Sequence, residues 1–192
     1  MKIFLASIIV LLTYSLAYSQ SIEIDWYSQY QYDGLVIQNS YPKGGPYEGP
    51  TEEHYSYSYL VFYTRVYNET DKPIELALNF TGDAFPIPNS PDTYVKLLLP
   101  QEAMSLDKHR LFSYGMAQLE SLNGPTNLKR IIEVGDDTLF YVVALFYQTK
   151  PDIWEQYRGE NRAELLLEDN QLYYNLLPQV DKIKCGSIYT RY

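Results

Sequence analysis

The sequence predicts an all-β protein: an antiparallel β-sandwich of about eight strands with one helix inserted near 105–122. Three observations carry this reading. Tyr55 to Tyr67 is a long run of β-branched and aromatic residues. Ile74, Leu76, Leu78 and Phe80 alternate with less apolar residues, the period of a half-buried strand. Thr138 to Tyr147 is nearly continuous in apolar residues, as a central strand covered on both faces should be.

The chain opens on a different signal. Met1 and Lys2 precede an uncharged apolar run, Ile3 to Leu16. Ala17 and Ser19 then place small residues at −3 and −1 of a cut before Gln20. This is the pattern of a secretory signal peptide over 1–19. The run falls short of the roughly 20 residues that span a bilayer, so no transmembrane anchor is expected after cleavage. Residues 20–192 are expected to form a single secreted or periplasmic domain. The lone cysteine, Cys185, leaves no disulfide framework, which fits a bacterial envelope better than a eukaryotic secretory pathway. Cys185 itself reads as a small buried hydrophobe.

Elements follow in order. Gln20 to Tyr32 is aromatic and polar and ends at Asp33-Gly34. Leu35 to Gln38 reads as a first short strand. Residues 40–54 hold three prolines and three glycines and read as a surface loop. The Tyr55–Tyr67 and Ile74–Phe80 runs, joined by a polar turn, read as an antiparallel pair. Residues 81–93 read as loop, Tyr94 to Leu99 as strand. Ser105 to Leu122 carries an approximate helical stripe, Leu106, Leu111, Met116, Leu119 and Leu122, interrupted by Gly115. Leu128–Val134 and Thr138–Tyr147 are strands. Arg162–Glu168 and Gln171–Leu177 flank Asp169-Asn170, a two-residue hairpin turn, and Ile183–Tyr189 closes the set.

Composition narrows the function. The chain is 46% hydrophobic and 20% charged, with a net charge of −9. That argues for an ordinary globular domain and against a partner held by phosphate contacts, so nucleic acid is not expected. Two histidines, His54 and His109, and one cysteine offer no metal-ligand spacing. They offer no nucleophile with a base in a motif either, and no cofactor is expected. Acid pairs at Asp136-Asp137 and Glu168-Asp169 read as solvated turns.

Tyrosine is the outlier, with 21 residues. In the strand from Tyr55 the period of two puts Tyr55, Tyr57, Tyr59, Tyr63, Arg65 and Tyr67 on one face and Leu60, Phe62, Thr64 and Val66 on the other. The aromatic stripe reads as a binding platform for a glycan or a cell-envelope protein. It reads more simply as a second packed layer, covered by the N-terminal stretch, the proline-rich loop or the helix. Trp154 and Tyr157, in a polar stretch, are weaker candidates for the same role. A small extracytoplasmic hydrolase using paired carboxylates and a structural subunit of an envelope assembly are the alternatives.

Several stretches carry a resemblance: AYSQS from Ala17, GLVIQNSYPKGG from Gly34, RVYNETDKPIELALNF from Arg65, DAFPIPNSPDTYVKLLLP from Asp83 and FYVVALFYQ from Phe140. Together the chain resembles the small secreted immunoglobulin-like β-sandwich proteins of Bacteroidota-type bacteria, which carry no assigned function. The resemblance implies an immunoglobulin-like sandwich and a secreted or periplasmic life. It implies no activity and supplies no site residues.

Overall fold

Two antiparallel sheets share one apolar core. The computed structural model describes residues 24–47, 56–88, 90–116, 124–148, 161–178 and 180–191. The expected signal peptide, Tyr55, His54, Trp154 and Tyr157 lie outside them.

Twelve strands run in chain order among the described residues: β1 Ser28–Tyr32, β2 Leu35–Asn39, β3 Lys43–Tyr47, β4 Ser56–Asn68, β5 Ile74–Phe80, β6 Phe85–Ile87, β7 Ser90–Leu98, β8 Thr126–Ile132, β9 Asp137–Gln148, β10 Arg162–Glu168, β11 Gln171–Leu177 and β12 Val180–Thr190. The first sheet has the order β1-β2-β4-β9-β7-β6, with β3 also paired to β4; the second is β10-β11-β12-β5-β8. The long strand β4 has room for two partners on one edge: β2 pairs with residues 64–68 and β3 with residues 57–61.

The core explains the patterning. Phe62, Val66, Val95, Leu97, Phe140, Val142, Ala144 and Phe146 of the first sheet meet Ile74, Leu76, Leu78, Phe80, Leu165, Leu172, Leu176 and Ile188 of the second. The alternation in β5 matches its buried and half-buried positions. The apolar run of β9 is buried on both faces, as its composition demands. The β10–β11 hairpin forms at Asp169-Asn170, whose φ values of 47° and 64° are those of a type I′ turn. Cys185 is buried, and its thiol is pushed up to about 12 by that burial.

Three expectations are corrected. The Tyr55–Tyr67 and Ile74–Phe80 runs are not a pair, because β4 and β5 lie in different sheets. Asn68 makes the corner between them. Fully buried, it donates to the carbonyls of Lys72 at 2.9 Å, Ile132 at 3.0 Å and Glu133 at 3.2 Å. Its own carbonyl oxygen accepts from the Thr70 amide at 3.0 Å and hydroxyl at 2.7 Å.

Second, the strand number exceeds about eight, because β1, β3 and β6 form in stretches read as aromatic-polar or loop. Pro46 in β3 and Pro86 in β6 are tolerated because each of these strands pairs on one side only. Gly44 is required in β3: a Cβ there would stand 2.0 Å from the Tyr59 carbonyl oxygen.

Third, no α-helix occupies the described part of 105–122. Residues 106–115 form two short 3₁₀ turns, Leu106–Arg110 and Phe112–Gly115, and 117–123 lie outside the described residues. Ser113, Tyr114 and Gly115 have φ of 45°, 54° and 70°. Three successive left-handed residues cannot continue a right-handed helix.

Candidate functional site

The outer face of the first sheet is where the tyrosines gather, and residues 99–116 cross it as a strap. Met104, Tyr114 and Met116 of the strap pack on Tyr59, Val61, Tyr63, Leu98, Tyr141 and Val143, with Ile24 and Trp26 against the same cluster. The second packed layer is therefore real, and it is built by the segment read as helix together with the N-terminal stretch.

Polar groups fasten the strap ring by ring. The Tyr59 hydroxyl meets Ser113 Oγ at 2.9 Å. The Tyr63 hydroxyl meets His109 Nδ1 at 2.7 Å. Tyr141 donates to the Tyr114 carbonyl at 2.7 Å, and Tyr114 to the Tyr41 carbonyl at 2.5 Å. Lys43 donates to the carbonyls of His109 and Leu111 and stands 4.3 Å from the centroid of the Tyr114 ring. Burial raises the hydroxyl pKa values of Tyr63 and Tyr114 above the ordinary tyrosine range. Burial first, then the charges of Lys43 and Arg110, lowers His109. The clamp is thus a set of hydrogen bonds and ring edges with the Lys43 ammonium among its donors, Tyr63 and Tyr114 crossing at 82° and 4.8 Å. It offsets the strain of left-handed Ser113 and Tyr114, each about 1 kcal/mol or more.

The strap divides the stripe that the sequence placed along β4. Tyr59 and Tyr63, 9% and 0% exposed, lie beneath it. Arg65 and Tyr67 lie beyond one side of it, half-buried. Arg65 is ion-paired with Asp137, donates to Gln38 at 3.3 Å and stands over the Tyr67 ring at 5.3 Å. Tyr57 lies beyond the other side, half-buried.

At Tyr57 a different alignment emerges. Tyr47 of β3 pairs in register with Tyr57 of β4, Tyr57 with Tyr147 of β9, and Tyr147 with Tyr94 of β7. Residues in register share a face, so the four rings form one row across four strands. Their successive centroids are 6.1, 6.0 and 5.3 Å apart, and Tyr94 and Tyr147 are stacked within 15° of parallel. All four are half-buried. Exposed Pro86 of β6 is the register partner of Tyr94 and extends the row.

Two further side chains border it. Lys96 Nζ stands 5.9 Å from the Tyr147 centroid. Phe112, at the strap's tip, is 73% exposed, and its ring reaches within 3.9 Å of where a Gly45 Cβ would stand. Sequence reading found Tyr57 but missed Tyr47, Tyr94 and Tyr147. They lie on three different strands, β3, β7 and β9, and only the register joins them.

A cleft of about 450 Å³ opens at one end of the sandwich. Leu35, Ile74, Leu167 and Ile188 contribute its apolar surface, and Tyr32, Asp33, Thr70 and Asp169 are among its polar lining. Its lips are tied down: the Glu69 amide donates to the Gly34 carbonyl at 2.7 Å and the Ile188 amide to the Asn170 carbonyl at 3.0 Å.

Compared with known proteins, the chain matches no family model, no curated sequence and no solved structure.

Proposed function

We propose that this protein is a secreted or periplasmic, non-catalytic binding module that holds a glycan on the row Tyr47, Tyr57, Tyr147 and Tyr94. In this reading 1–19 is a cleaved signal peptide, and 20–192 is an immunoglobulin-like sandwich akin to the small secreted proteins of Bacteroidota-type bacteria. Two antiparallel sheets around one core support the sandwich.

The observation that carries the function is the register-aligned row itself. A sugar ring presents an apolar C–H face and an equatorial fringe of hydroxyls. A phenol ring offers the complementary flat apolar surface with a hydroxyl at its rim. Four such rings in line suit successive units of a chain polymer better than a single small molecule. The strap matters because it packs on the same face beside the row and fixes the sheet there, so that little ordering is needed on binding.

The test is affinity electrophoresis through gels containing neutral and charged polysaccharides. Wild-type protein should be retarded by at least one polymer. Y94A and Y147A should each weaken that retardation about tenfold, with near-UV circular dichroism otherwise native. Retardation unchanged in both variants refutes the platform. Capture of a cell-envelope protein by the same surface, with no glycan bound, would reassign the partner.

A carboxylate-pair hydrolase is the second reading. It rests on Asp33 and Asp169 both lining the cleft beside Tyr32. It predicts glycosidase activity that D33N and D169N each abolish.

A further inference from the structure

We infer that the glycan held by the tyrosine row is an acidic one, its sugar rings lying on Tyr94, Tyr147 and Tyr57 and a carboxylate meeting Lys96. This rests on the platform reading above and specifies the class of ligand.

Lys96 belongs to the same outer face: in register it opposes Leu145, next to Tyr147 on β9, and Leu145 in turn opposes Tyr59. Its ammonium stands over the Tyr147 ring at 5.9 Å. Three other cations of this face are committed to the protein. Arg65 pairs with Asp137, Lys108 with Glu102 at 3.0 Å, and Lys43 donates to two strap carbonyls. Among the described residues no carboxylate pairs with Lys96. Asp92, earlier on β7, already has a partner.

Among the described residues, an ammonium thus stands without a carboxylate partner beside the aromatic row, in a chain of net charge −9. A ring face binds the apolar side of any sugar, so stacking alone does not choose among polymers. A charge-assisted hydrogen bond is about twice as strong as a neutral one, so Lys96 makes the choice in favour of a uronic acid. The protein's overall negative field opposes an anionic polymer at long range. At physiological salt that field is screened beyond about 8 Å, whereas a contact ion pair at the row survives.

The experiment compares carboxylate polymers with their own neutral forms. Polygalacturonate, alginate and hyaluronate are each set in affinity gels beside the methyl-esterified polymer, at 0.15 M salt. The expected result is stronger retardation, about tenfold, by at least one carboxylate form than by its ester. K96Q should erase that difference, and K96R should restore it. Equal retardation by acid and ester, or a K96Q protein that keeps the preference, overturns the charge inference while leaving the platform standing. If no acidic polymer binds and a neutral one does, the class is wrong. If no polymer of either kind binds, the platform reading falls as well. Lys96 is half-buried on an outer face, and its circular dichroism and melting control report whether K96Q is folded.

Discussion

Replacing Asn68 by alanine should unfasten the corner that sends β4 into one sheet and β5 into the other. Five hydrogen bonds end on this side chain. Their costs differ. The Lys72 and Glu133 carbonyls belong to exposed residues, so water can replace the amide there. The Ile132 carbonyl belongs to a residue only 2% exposed, and the Thr70 amide is half-buried. Leaving two such groups without their partner costs about 1–3 kcal/mol each. We therefore expect N68A to lose about 3 kcal/mol, a large share of the roughly 5–15 kcal/mol that holds a domain together. At about 2–4 °C per kcal/mol for a domain of this size, the melting temperature should fall by about 6–12 °C. T70A should cost about 1 kcal/mol or less, because its hydroxyl serves the same corner from a more open position. Urea unfolding followed by near-UV circular dichroism measures both. If N68A loses less than T70A, the corner is not held by Asn68, and the assignment of buried partners above is mistaken.

Other expectations follow from close contacts and from titration. G44A should push β3 from β4, since its new Cβ would meet the Tyr59 carbonyl oxygen at 2.0 Å and backbone cannot swing aside. The cost should be about 1–3 kcal/mol, and hydrogen exchange should show the β3 amides losing protection. Because His109 titrates below its ordinary value in the fold, its contribution to stability is complete above about pH 6.5. As the pH falls below that, the unfolded chain takes up a proton first and the melting temperature drops, levelling below the folded pKa; H109Q should flatten this window. Cys185, pushed to about 12 and buried, should resist a thiol reagent at pH 8 in the native protein and react fully in urea.

The sheets were legible where side-chain chemistry alone decides. β9 could only be central, being apolar at nearly every position. β5 could only be half-buried, and Asp169-Asn170 could only turn. What escaped was whatever depends on a neighbour. Lys43-Gly44-Gly45-Pro46-Tyr47 looks like a loop, because its strand form is imposed by the close approach of Gly44 to β4. The stripe Leu106, Leu111, Met116 fits a helical period, yet the strap reaches the sheet with Met104, Tyr114 and Met116 and turns through left-handed Ser113 and Tyr114. The aromatic face was legible as a stripe along one strand because period two is local. The row across four strands was not, because it exists only once register brings Tyr47, Tyr57, Tyr147 and Tyr94 abreast.

The prolines of the two short strands have one more effect. A broad sheet with an aromatic outer surface invites a second copy to add its own strand at the border, and repetition of that step is how fibrils grow. Pro86 removes an amide from β6, the strand that ends the first sheet beside Tyr94, and Pro46 removes one from β3, the strand beside Tyr57. An incoming strand would find a missing donor at each border of the row. The same residues that hid these strands from a sequence reading thus guard the aromatic face against edge-to-edge self-assembly.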